Sequence, residues 1–175
     1  VAFLRPDGSF ADYTNTTYKE LTAIIDQLPI YESDLAKLRV DRFNIMTKRW
    51  YAEGYERFGE DGSLKHYLVK AIEIRTPPFE TIDETLKALG KDFALLKQAA
   101  LKLGFTPTWI SYHPYQTQFH PDPPLNDYEV HKLQISPEDR TSDLVMLSFG
   151  PDLNISMDGL TDEQVIDIGK KLTYY

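Results

Sequence analysis

The segment from Thr81 to Gly104 constrains the fold more than any other part of the chain. Ile82, Leu86, Leu89, Phe93, Leu96, Ala100 and Leu103 recur at steps of four and three, which places them on one face of an α-helix. Thr81-Ile82-Asp83-Glu84 has capping-box form, so a hydroxyl and a carboxylate stand ready for the first free N–H groups. Gly104 occupies the place of a C′ residue, and Lys97 and Lys102 suit the negative end of the helix dipole. The pattern predicts a helix over residues 81–103 with one buried stripe. That stripe needs an apolar surface to cover it, and the flanking segments offer strands.

Residues 42–58 are rich in aromatic, β-branched and long side chains, and residues 64–76 form a second such run. Between them lies Glu60-Asp61-Gly62-Ser63, and an Asp-Gly so placed marks a β-hairpin. Pro77-Pro78 stops the second strand, because proline cannot donate to a ladder. Residues 105–112 read as a further strand. Upstream, the first fifteen residues read as loop with at most a short strand. The stretch from Thr16 to Glu20 then opens a helical series, Leu21, Ile24, Ile25 and Leu28, which Pro29 ends. Leu35 and Leu38, after acidic Glu32 and Asp34, fit a short helix over residues 32–41. Downstream, residues 114–127 form a long proline-rich loop, and loops of this length are uncommon without a function. Residues 128–135 and 143–156 read as strands, and Thr161-Asp162-Glu163-Gln164 caps a last helix carrying Val165, Ile168 and Leu172. The expected fold is α+β, a mainly antiparallel sheet with helices packed on one face.

A chain of 175 residues fits a single domain, with an N-terminal loop and helical segment over residues 1–41 and a sheet-and-helix core over 42–175. A chain of this size buries about 70% of its unfolded surface and needs no staple. The absence of cysteine excludes disulfides, a thiolate nucleophile and a cysteine zinc site. With 27 acidic against 19 basic side chains, binding to nucleic acid through phosphate contacts is not expected. No apolar run approaches the roughly 18–20 residues of a membrane span, so no membrane partner is expected and a cytoplasmic location is. The chain begins with Val1 rather than Met, and it is expected to be part of a longer product. Neither common glycine-rich phosphate loop, no zincin pair of histidines and no nucleophile-elbow motif is present.

Three groups of residues could carry chemistry. Strict alternation over residues 67–75 puts Tyr67, Val69, Ala71, Glu73 and Arg75 on one face, and Leu68, Lys70, Ile72 and Ile74 on the other. Glu73 and Arg75 then project side by side from a strand end, suited to binding a cation and an acid group, or simply to a salt bridge on a wet face. In Gly150-Pro151-Asp152-Leu153-Asn154-Ile155-Ser156-Met157-Asp158, Asp152, Asn154, Ser156 and Asp158 share the polar face of a strand. Such oxygens suit Mg²⁺ or Mn²⁺, and also suit an ordinary solvated face. The third group is His113-Pro114-Tyr115 with His66, His120 and His131 scattered elsewhere, including a weaker possibility of metal-dependent hydrolysis through His113 and Asp152.

Taken in order, the run from Ala71 to Pro78, the long helix ending at Leu103-Gly104, and a strand ending in His113-Pro114-Tyr115 resemble the glutamate–cysteine ligase family. More broadly the pattern is similar to ATP-dependent carboxylate–amine ligases of the glutamine-synthetase-type fold, covering about 110 residues from His66 to Leu172. The resemblance implies that a substrate carboxylate, usually that of glutamate, is phosphorylated by ATP and then attacked by an amine. It implies Mg²⁺ or Mn²⁺ and ATP as cofactors, an amino-acid substrate, and metal ligands at Glu73, Asp152 and His66. Asn154 matches a cofactor-binding position, while Arg75 is a reading of the residues themselves, as a group for a carboxylate or phosphate. On simple alternation His66 faces away from Glu73, so only a bulge would bring both to one side. Two departures stand out: no glutamate-rich strand is recognised before Glu73, and Asp152 replaces the family's usual histidine. They leave open a fragment or reduced relative, or a non-catalytic binding or oligomeric assembly module built on the same fold.

Overall fold

The computed structural model describes residues 1–32, 49–135, 142–152 and 154–172. Its centre is the hairpin of β2 (Trp50–Phe58) and β3 (Leu64–Ile74), paired antiparallel. The Asp61-Gly62 turn closes it: the Asp61 carboxylate accepts from the Ser63 N–H at 3.0 Å, and the Gly59 N–H reaches the Ser63 carbonyl at 2.7 Å. The expected hairpin is therefore present, ending at Ile74 just before Arg75 and the prolines.

The alternation expected along β3 is broken. Glu53 pairs with Ala71 and Gly54 with Val69, which leaves Lys70 as an extra residue in a bulge. Gly54 is what permits the close approach, since a Cβ there would meet the Leu68 carbonyl oxygen at 1.9 Å. From Val69 to His66 each β3 side chain therefore lies on the side opposite to simple alternation, until a second register shift between Arg57 and Phe58. Val69 and Ile72 are both buried in the same core, whereas alternation would have separated them.

Helix α1 (Tyr18–Ile25) and helix α2 (Ile82–Lys102) lie against this hairpin. Both begin with full capping boxes, Thr17 with Glu20 and Thr81 with Glu84, as the sequence predicts for the second of them. Gly104 takes a φ of +80° after the C-cap, the left-handed conformation expected at C′. Leu21, Ile24, Trp50, Ile72, Leu96 and Ala100 join Phe3 and Phe105 in the main core. The buried stripe of α2 is shorter than expected. Asp92, Leu96, Ala99 and Ala100 are buried, while Ile82 and Leu86 remain exposed. A helix of this length runs about 30 Å, well beyond the width of a two-stranded hairpin, so its first turns have no sheet beneath them.

Strand β1 (Ala2–Leu4) pairs antiparallel with β4 (Thr106–Thr108), making a second small sheet. The strand expected over residues 105–112 thus shrinks to three residues, followed by an isolated bridge from Tyr112 to Ser148. The architecture is α+β with antiparallel sheets. The short helix expected over residues 32–41 falls, beyond Glu32, outside the described residues, as does the 42–48 portion of the first hairpin strand. Among the described residues no helix is long and apolar enough to cross a membrane.

Two further expectations are corrected. Residues 128–135 are helical, in α3 (Asp127–Ile135), and residues 142–147 form α4 (Ser142–Leu147) rather than the start of a strand. For α3 the reason is a reciprocal cap: the Glu129 N–H donates to Asn126 Oδ1 at 2.9 Å, and the Asn126 N–H donates to Glu129 Oε2 at 3.0 Å. Local capping outweighs the period-two look of Tyr128 and Val130. After α4, Gly150 and Pro151 cannot sustain a ladder, and the described residues from Asp152 to Leu160 contain no strand. The last helix, α5 (Asp162–Leu172), is present as expected.

Helices α3 and α4 and the 113–125 loop cover the outer half of the opposite hairpin face. Tyr55 and Leu68 pack there with Tyr13, Phe119, Met146 and Leu147. The loop is tied down by a buried ion pair. Arg57 forms a two-pronged contact with Glu129, at 2.7 Å from Nε and 3.0 Å from Nη2, and donates also to the Pro123 and Pro124 carbonyls. The Phe58 N–H adds a third bond to the Glu129 carboxylate at 2.8 Å. Burial acts to raise the Glu129 pKa, but the Arg57 guanidinium and the Asn126 and Phe58 N–H donors prevail and hold it below its ordinary value.

Breaking this pair is expected to be costly, because the surviving charge stays buried. Arg57→Met should lower unfolding free energy by about 3–5 kcal/mol in urea titrations. Because the folded pKa of Glu129 is depressed, its stabilising contribution is fully present above its unfolded value. That contribution is lost as pH falls through the folded value. Acidification below about pH 4.5 should therefore destabilise the wild type more than Glu129→Gln, and equal acid sensitivity of the two would contradict the assignment.

Candidate functional site

The half of the hairpin face that α3 and α4 leave uncovered carries a polar cluster. In register, Tyr51 stands opposite Glu73 and Glu53 opposite Ala71, so Tyr51, Glu53 and Glu73 share one side. Glu53 and Glu73 are diagonal neighbours, roughly 7–8 Å apart at their Cα atoms in such a ladder. The Tyr51 hydroxyl donates to Glu73 Oε2. Arg75 Nε donates to Glu73 Oε1 at 3.0 Å, and Nη2 to the Tyr51 oxygen at 2.7 Å. The guanidinium also lies over the Tyr51 ring, 4.2 Å from its centroid.

The bulge brings in a second side-chain cation. Lys70, which alternation places away from Glu73, sits with its amine 3.1 Å from Glu53. It also donates to the carbonyls of Val145 and Ser148, so it is fixed from below by α4 and the residue after it. Burial, followed by the nearby Glu73 charge, raises the Glu53 pKa against the opposing pull of Lys70. For Tyr51, burial and then its hydrogen bond to Glu73 push the phenol far above the ordinary tyrosine range. Two carboxylates, two side-chain cations and a phenol, with the Val1 ammonium beside them, therefore form one electrostatically coupled cluster.

Sequence reasoning found Glu73 and Arg75 here but missed Glu53, Tyr51 and Lys70. The signal for Glu53 lay in its place on the partner strand, which needs the hairpin register. For Lys70 it lay in Gly54, the one residue that allows a bulge at that level.

The other expected site residues lie elsewhere. The bulge does return His66 to the same side as Glu73, since His66 pairs with Arg57 and Glu73 with Tyr51. The six-residue step between those partners is nonetheless roughly 20 Å along the strand. Asp152 and Asn154 are exposed on irregular chain, not on the polar face of a strand. Among the described residues no three histidine, aspartate or glutamate side chains group so as to hold a metal ion. The set Glu73, Asp152 and His66 thus does not converge.

His113 is a structural anchor. Its Nδ1 accepts from the Tyr115 and Gln116 N–H groups at 3.2 and 3.0 Å, which makes Nε2 the protonated nitrogen facing Asp12 at 3.0 Å. With both ring nitrogens engaged, no lone pair is left for a metal, and the structure does not join His113 to Asp152. No family model, no curated protein and no solved structure matches the chain.

The Tyr51 environment is directly measurable. Of the chain's 11 tyrosines, Tyr51 should stay protonated through the alkaline range in which ordinary tyrosines ionise. Ultraviolet titration of tyrosinate to about pH 11 should give equal amplitudes for wild type and Tyr51→Phe. A wild-type amplitude larger by one tyrosine would contradict the buried, Glu73-bonded phenol.

Proposed function

We propose that the chain takes part in an ATP- and Mg²⁺-dependent joining of a glutamate-type carboxylate to an amine, as in glutamate–cysteine ligases. The open half of the hairpin face serves as its ligand-binding surface. The observation that carries this reading is the diagonal placement of Glu53 and Glu73 on one side of an antiparallel hairpin, flanked by Arg75 and Lys70. The sequence run from Ala71 to Pro78 and the long helix after it, on which the resemblance rests, agree with it. Asp152, Asn154 and His66 have no part in it.

Mg²⁺ is commonly held by one or two carboxylates together with substrate phosphates, so the donor chemistry of Glu53 and Glu73 fits the ion. Bound there, it would supply neutralisation of the charge on the transferred phosphoryl group. The chain's own residues do the positioning. Tyr51 fixes one Glu73 oxygen, and Lys70, anchored to α4, holds positive charge beneath Glu53. Arg75 is half exposed, and its Nη1 makes no hydrogen bond among the described residues. That leaves a planar donor fork for a substrate carboxylate or phosphate.

Calorimetric titration of the full chain with Mg²⁺-ATP tests the reading. Saturable binding is expected, weakened about tenfold or more by Glu73→Gln and by Glu53→Gln with unchanged circular dichroism. Absence of binding by the folded chain, or binding indifferent to both substitutions, would overturn it.

A second reading, a non-catalytic assembly module, is favoured by α5. That helix carries Val165, Ile168 and Leu172 at helical spacing, and none of its residues is buried. Sedimentation should then reveal self-association that Val165→Glu with Leu172→Glu abolishes. A wild type that stays monomeric at all concentrations would count against it.

A further inference from the structure

At the turn end of β3 the structure holds a cleft of about 710 Å³ between the 13–19 segment and the strand. It lies apart from Glu53 and Glu73, neither of which lines it. The volume is that of a small-molecule site. Its apolar surface comes from Leu64, Tyr67 and Leu68, with Tyr13 behind them, and Lys19 and His66 also line it.

The wall opposite the strand is built in advance. Asp12 Oδ1 accepts from the Thr14 N–H at 2.7 Å and from the Thr14 hydroxyl at 2.6 Å. Asn15 donates to the Phe10 carbonyl at 2.8 Å, and Asp12 Oδ2 is held by His113. Arg5 bridges Thr16 and Glu20 at 3.1 Å each, tying the segment to the first turn of α1. A ligand entering this cleft therefore does not have to order the loop, which removes one of the main costs of binding.

Charge decides the class of ligand. The chain carries a net charge of −8, yet the two titratable side chains that line the cleft outside its tyrosines are Lys19 and His66. Neither makes a hydrogen bond or ion pair among the described residues. The cleft also borders the N-terminal end of α1, where the helix dipole is already complemented by Glu20 of the capping box. The carboxylate nearest that end, Glu20, is already engaged by Arg5 and Thr17.

We propose that this cleft is a binding site for a small organic anion with a flat apolar body. The acid group lies at Lys19 and His66, and the body lies against Tyr67, Leu64 and Leu68. The site is independent of the ligase reading, since it uses none of the residues assigned there.

Fluorescence titration of the full chain with 8-anilinonaphthalene-1-sulfonate, an aromatic anion, tests the proposal against the uncharged N-phenyl-1-naphthylamine. Lys19 and His66 are both exposed, so Lys19→Glu with His66→Glu should leave circular dichroism unchanged. The double variant should bind the sulfonate about tenfold more weakly or worse, while its affinity for the neutral probe stays within about twofold. On the wild type, amide shifts caused by the sulfonate should concentrate at residues 13–19 and 64–68, a readout that does not depend on any variant. Unchanged sulfonate affinity, equal losses for both probes, no saturable binding, or amide shifts centred elsewhere would each overturn the assignment.

Discussion

One extra residue in β3 organises the molecule. Without the bulge at Lys70, Val69 and Ile72 would lie on opposite faces, and either the core or the polar cluster would lose a member. With it, Val69 and Ile72 both enter the core under α1 and α2, while Lys70 swings to Glu53 and to the carbonyls of Val145 and Ser148. Burying a lysine amine is expensive unless its donors are matched, and here three acceptors meet it. The bulge thus couples three things, the core, the polar face and the attachment of α4. Gly54 is the sequence-level condition for all of them, since any side chain there would collide with the Leu68 backbone.

The second organising contact is the Arg57–Glu129 clamp. It joins the far end of β2 to the start of α3 and to a proline-rich loop that has little regular structure of its own. Such a loop cannot satisfy its backbone through a ladder, so side chains supply the partners. His113 does the same at the loop's other end, receiving two backbone N–H groups on one nitrogen and facing Asp12 with the other. Together these contacts divide the hairpin's second face into a covered outer half and an open inner half. The open half carries Glu53 and Glu73 as diagonal neighbours.

Much of this was legible in the sequence where the signal was local. The Thr81 box, Gly104 and the Asp61-Gly62 turn each act over a few residues, and the elements they mark are present. Most of what failed depended on distant partners. Residues 128–135 look like a strand by period, but Glu129 is buried against Arg57, 72 residues away in sequence, and α3 follows from that pair and its cap. Asp152 and Asn154 were expected on a strand that Gly150 and Pro151 interrupt. For the site, Glu73 and Arg75 could be picked out from their own strand. Glu53 and Tyr51 could not, because their proximity to Glu73 is a matter of register. His66 shows the limit of parity reasoning, as the bulge restores its side without closing the distance.

The polar face is chemically unusual because its carboxylates are neither free nor fully neutralised. Glu73 is held by a phenol and a guanidinium, and Glu53 by a lysine whose remaining donors point into α4. Burial and the nearby Glu73 charge raise the Glu53 pKa even so. The central claim is that Glu53 and Glu73 act as one coupled pair. Carbon-detected NMR titration of the Glu53 carboxyl in wild type and in Glu73→Gln tests it most directly. The account predicts a wild-type midpoint above the ordinary glutamate value that falls when the Glu73 charge is removed. A Glu53 midpoint identical in the two proteins would contradict it.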